Sequence, residues 1–224
     1  LHFLVVTNSH FQFLSRGELA SLPPPTFLVD RMLPKKGVGL IYGESGCGKT
    51  FFAISLACAV ATGTDFFDCD TEQGSAALLV GEGYFGIPKR LAAWEIRHKT
   101  LITDAAFLVT DGRPRLAVAT DVSDVIESIR ARDAKPRLIV VDTLATHFAG
   151  GNENEAKDVG LFLDGARKLS DEFECLVLVI HHTIKDGSNY RGSYALKANV
   201  DTLLRVEASN LGVVTVTCEK QKDF

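Results

Sequence analysis

The chain has 224 residues, 46% of them hydrophobic and 23% charged, with a formal net charge of −4. That length buries one sizeable core and points to a single domain, and the acid excess does not advertise nucleic-acid binding, although local patches decide that question. Five scattered cysteines with no CxxC pair argue against a disulfide or zinc framework and for a reducing, cytoplasmic setting, and no apolar run reaches the ~20 residues of a membrane span. The opening LHFLVV lacks a basic n-region and a cleavage site, so no signal peptide is expected.

Residues 1–36 read as an irregular entry segment packed on the core, because LPPPTFLVDRMLPKK carries four prolines that forbid continuous helix or central strand. Strands and helices alternate after it. Val38–Tyr42 is a short apolar strand, followed by a Gly-rich loop and a helix from about Gly48 to Ala61. Ala76–Gly83 is the next strand. IPKRLAAWEIRHK is helical, with Pro88 in the first turn and Ile87, Leu91, Trp94 and Ile96 expected near one face. AAFLVT is a strand, and DVSDVIESIRAR an amphipathic helix with Asp121 as its expected N-cap. Arg137–Asp142 has the pattern of a fully buried strand, as does CLVLVIHH, with a helix from about Asn154 to Phe173 between them. VDTLLRVEA and GVVTVTCEK form a hairpin around SNLG. This alternation predicts one α/β domain over residues 37–224, with a mostly parallel central sheet flanked by helices and a C-terminal antiparallel hairpin.

The Gly-rich loop fits the pattern GxxxxGKT, with a strand before it and a helix after it. Glycines let backbone N–H groups close around phosphate oxygens, and the following helix directs its positive end at the same charge. The candidate nucleotide-binding set is Gly43, Glu44, Ser45, Gly46, Cys47, Gly48, Lys49, Thr50 and Phe51. Lys49 would reach the β- and γ-phosphates, and Thr50 would offer its hydroxyl to Mg²⁺. Asp142 ends a buried strand at the sheet edge where ligands bind, which suits it to Mg²⁺ or water. Glu82 follows another strand. His181 and His182 end a further one, and either reads as a hydrogen-bond donor on the γ-phosphate side or as a satisfied core histidine. Neither has metal-ligand spacing. Cys47 lies inside the loop, at a helix N-terminus, where a thiol's pKa is open to lowering.

The string GLIYGESGCGKT…LLVGEGYFG…LIVVDTLATHFAGGNENEAKD…LVIHHTIKDGSNYRGSYAL…VTCEKQKD resembles the RepA-like ATPases of the RecA/DnaB P-loop superfamily, over about Phe27 to Asp223. The resemblance implies a RecA-like core that binds ATP and Mg²⁺, with Glu82 as catalytic base, Asp142 as Walker B acid and His182 as γ-phosphate sensor. It implies a homo-oligomeric ring, such as a hexamer, acting on single-stranded DNA as a replicative helicase. Lys220 and Lys222 fall where the family keeps basic residues that reach the neighbouring subunit's nucleotide. Lys222 replaces the family's Arg and lacks its guanidinium fork. Arg191 is a further candidate, as a finger or as a DNA contact. The loops Thr143–Asp158 and Thr183–Leu196 would line the channel. The second has a basic character from Lys185, Arg191 and Lys197, with Tyr190 and Tyr194 available for stacking on bases. Two other readings stay open: an ATP-dependent assembly switch without helicase activity, and a small-molecule kinase.

Overall fold

The computed structural model describes residues 13–148, 150–152, 155–182 and 194–222. Helix α1 (Arg16–Ala20) is capped by Ser15 and Glu18, each bonding the other's backbone N–H. Strands β1 (Phe27–Val29) and β2 (Leu33–Pro34) then pair with each other. The entry segment is therefore not wholly irregular: its apolar residues Leu28, Val29 and Leu33 are fully buried.

The central sheet contains β3 (Gly37–Gly43), β4 (Ser75–Val80), β5 (Phe107–Val109), β6 (Pro136–Asp142), β7 (Leu176–His182), β8 (Thr202–Ala208) and β9 (Val214–Gln221). Their order across the sheet is β5-β4-β6-β7-β3-β8-β9. All neighbours are parallel except β8 and β9, which form the expected hairpin. β4 is shorter than expected. Its ladder ends at Val80, and the following Gly83 turns in the left-handed region at φ 68°.

Side-chain alternation along the strands divides the core in two. One face packs on α2 (Lys49–Thr62) and α3 (Ile87–His98), with Ile41, Val80, Val140 and Ile180 among its residues. The other packs on α4 (Ala119–Arg130) and α5 (Ala156–Phe173), with Tyr42, Val141 and Val179. A short α6 (Tyr194–Asn199) precedes β8. Helix α2 is apolar almost all round and is buried accordingly.

Two local expectations fail for geometric reasons. Ile96 is 79% exposed, while Ile87 and Trp94 are buried. Nine residues at 100° each carry Ile96 half a turn from Ile87. Val118, not Asp121, is the cap of α4. Asp121 lies one turn inside, where its carboxylate accepts from the Arg115 backbone and guanidinium. Among the described residues, no helix is long and apolar enough to cross a membrane.

Candidate functional site

The loop between β3 and α2 is shaped by its glycines. A Cβ at Gly43 would lie 2.1 Å from the Val206 carbonyl oxygen, so only glycine lets β8 approach there. Gly48, at φ 100°, is the N-cap of α2, and among the described residues no side chain caps that helix end. Its first N–H groups are left for an anion.

Lys49 is buried, and its ammonium donates to the carbonyl oxygens of Gly43 (2.9 Å) and Glu44 (2.6 Å). The Cys47 sulfur lies 3.7 Å away. Burial lowers the Lys49 pKa, and the neighbouring Cys47 sulfur and the Asp142 carboxylate oppose that fall.

On the same face, the Thr50 hydroxyl donates to Asp142 Oδ2 at 3.0 Å. β7 lies between β3 and β6, so this bond reaches over an intervening strand. Asp142 is buried, and burial raises its carboxylate above the ordinary range. The Thr50 hydrogen bond, Arg90 and Lys49 oppose the rise, whereas the Glu82 charge adds to it.

His182 stands beside Gly43 in the β3–β7 register, and His181 beside Tyr42. Alternation turns the two histidines to opposite faces, and His182 shares the α2 face with Ile180. Burial first, then the Lys49 charge, lowers the His182 pKa, so the ring is neutral at pH 7. Its Nδ1 is buried with no hydrogen-bond partner among the described residues. The structure thus gathers Lys49, Thr50, Asp142 and His182 on one face, with Glu82 close enough for its charge to act on Asp142 and His182.

It does not bring Lys220 and Lys222 there. Both lie near the start of β8, at the opposite sheet edge from the loop of their own chain. Lys220 donates to the carbonyls of Lys197 and Ala198 (2.9 Å each), and Lys222 pairs with Asp201 (3.1 Å). Arg191 lies outside the described residues, as do Lys185 and Tyr190. Lys197 packs on its own chain: its ammonium is 5.1 Å from the Tyr42 ring centroid and 3.8 Å from Glu219. The start of the Thr143–Asp158 loop also packs inward. Leu144 and His147 are fully buried and Phe148 nearly so, and His147 Nδ1 donates to the Pro114 carbonyl at 2.7 Å.

Two features were not legible in the sequence. Arg90 of α3 stacks over the exposed Phe51 ring, with its guanidinium carbon 4.8 Å from the centroid. A cavity of about 320 Å³ lies between Gly43–Cys47 and Arg205–Ala208, at the lower end of the range for small-molecule sites.

The donor set fits a nucleotide with a hard divalent cation. Thr50 and Asp142 supply hydroxyl and carboxylate oxygen, the ligands Mg²⁺ takes alongside phosphate. Among the described residues, no group of three or more His, Cys, Asp or Glu would hold a metal by itself.

The AAA domain family matches residues 7–188. The chain belongs to that family. Its fold is similar to that of a solved structure described as an ATPase domain, with a TM-score of 0.63 at 15% identity, covering 84% of this chain and 78% of that one. At that identity the likeness concerns the fold, which is the expected RecA-like P-loop core. No curated protein matches the chain.

Proposed function

We propose that this AAA-family chain hydrolyses ATP with Mg²⁺ and couples the cycle to movement along, or unwinding of, single-stranded DNA in plasmid- or phage-type replication. The observation that carries the ATPase reading is the Thr50–Asp142 hydrogen bond below an uncapped helix N-terminus and beside Lys49. In this reading, the Gly43–Phe51 stretch holds the phosphates and Thr50 and Asp142 hold Mg²⁺. The metal would neutralise charge on the phosphate oxygens. Glu82 orients and deprotonates the attacking water. His182, neutral and with a buried ring nitrogen lacking a partner, senses the terminal phosphate. The DNA coupling and the ring rest on the resemblance to RepA-like ATPases.

The test is ATP turnover with and without single-stranded DNA, combined with strand separation of a forked duplex. DNA-stimulated turnover with unwinding supports the whole reading. Turnover indifferent to DNA leaves an assembly switch, and phosphate transfer to a metabolite in preference to water would make the chain a kinase.

A further inference from the structure

Arg90 lies in the second turn of α3, eight residues beyond Glu82. A backbone turn and an aromatic ring hold it. A Cβ on Gly86, in the turn that carries Glu82 into α3, would be 3.9 Å from its guanidinium carbon, so the side chain lies along that turn. The guanidinium then covers the ring of Phe51, the residue that follows Thr50. Phe51 is 63% exposed, a large apolar side chain left in solvent at the mouth of a polar site. This contact uses the face of the guanidinium, and among the described residues its N–H groups make no hydrogen bond to a side chain.

The charge of Arg90 is felt at Asp142, yet among the described residues Arg90 forms no ion pair with Asp142, Glu82 or any other acid. An arginine held on the ring next to Thr50, close enough for its charge to act on Asp142 yet in no ion pair with it, is matched to a further anion arriving there. Lys220 and Lys222, considered for the neighbouring subunit's nucleotide, do not reach the phosphate loop of their own chain. We propose that Arg90, positioned by Phe51, is a cation supplied within the same subunit to the terminal phosphate of the bound nucleotide. This rests on the ATPase reading above and adds to it. Arg90 contacts the γ-phosphate oxygens and stabilises the charge that develops on them in transfer to water, and Phe51 is its positioning residue.

The experiment compares binding of ADP with that of the non-hydrolysable β,γ-imido analogue of ATP by calorimetry, and follows phosphate release from ATP. Arg90→Ala should bind ADP within about twofold of the wild type, bind the imido analogue about tenfold more weakly, and turn over ATP about 10²-fold more slowly. Retained ADP affinity reports an intact fold. Arg90→Lys should regain part of the turnover, since it restores the charge without the fork. Phe51→Leu should shrink the preference for the imido analogue over ADP, Phe51→Trp should keep it, and Phe51→Leu should add nothing in the Arg90→Ala background. Equal weakening of ADP and the imido analogue, or unchanged turnover, overturns the role of Arg90. A wild type that binds both nucleotides while Arg90→Ala behaves like it overturns this inference alone. A wild type that binds neither overturns the ATPase reading, and this inference with it.

Discussion

The Thr50 hydroxyl and the Asp142 carboxylate meet at 3.0 Å although their residues stand 92 positions apart and β7 separates their strands. The register explains the meeting. Asp142 lies level with Ile180, which lies level with Ile41, and all three face α2. The first turn of α2 then carries Thr50 back over β7 towards Asp142.

Asp142→Asn should separate function from stability. Burial raises the Asp142 carboxylate above its unfolded value. The native state therefore binds more protons than the unfolded chain between the two values. Stability falls as pH rises from about 3.9, the ordinary aspartate pKa, through the raised native value, and stays lower above it. The Asn variant removes that loss and keeps an acceptor for Thr50. Without nucleotide at pH 7 its Tm should rise by about 2–4 °C, while Mg²⁺-dependent turnover is lost. A thermal melt and a phosphate-release assay check both halves. A lower Tm would mean that the ionised carboxylate stabilises the fold.

Lys49→Ala should lose most nucleotide affinity and all measurable turnover, because the β/γ charge loses its paired cation. The ammonium already lies within hydrogen-bond reach of the loop carbonyls of Gly43 and Glu44. Nucleotide titration by calorimetry checks it, and unchanged hydrolysis would end the P-loop assignment.

Glu82→Gln keeps size and polarity and removes the base. ATP should bind nearly as before, while turnover falls by about 10² or more. Single-turnover kinetics separate the two effects. Persistent turnover would place the base elsewhere.

Thiol labelling should rank the cysteines by burial. Cys218 is exposed and Cys69 partly so, whereas Cys47, Cys58 and Cys175 are buried. Cys218 should react first and leave turnover intact. Slow labelling at Cys47 should inactivate, and ATP·Mg²⁺ should protect, since bound phosphates would cover the loop. Mass spectrometry of digests reads each site. Equal Cys47 labelling with and without nucleotide would place it outside the phosphate site.

The P-loop, the alternation of strands and helices and the terminal hairpin were legible because each is written in contiguous residues. GxxxxGKT is a local backbone requirement, and RLIVVD and CLVLVIHH are buried runs bounded by polar ends. Arg90 was not legible. Its partner Phe51 is 39 positions away, and only the packing of α3 against α2 brings them together. The contacts of Lys197 with Tyr42 and Glu219 likewise reach residues on two separate strands. The cis engagement of Lys220 and Lys222 arises because the hairpin returns β9 to the start of β8. A spacing pattern records none of these long-range contacts.

Hydrolysis should be a property of an assembly if Lys222 acts on the nucleotide of a neighbouring subunit. Within its own chain Lys222 pairs with Asp201 at 3.1 Å, and Asp201 also accepts from the Val38 N–H. That pair is half exposed, so opening it costs little, typically ~1 kcal/mol or less for such an ion pair. Lys222 can therefore leave Asp201 for a phosphate without loss of the fold. Lys220 is more firmly held, by two carbonyls at the end of α6, so Lys222 is the better finger of the two. Lys222→Ala should bind ATP and be nearly inactive. Mixing it with Lys49→Ala should restore part of the activity, because a mixed interface can pair an intact P-loop with an intact Lys222. Specific activity of the wild type should fall on dilution. Sedimentation and turnover measured over the same concentration range check this. Activity strictly proportional to concentration, with no complementation, would mean that each chain works alone, and the charge in transfer would then fall to cations of the same subunit.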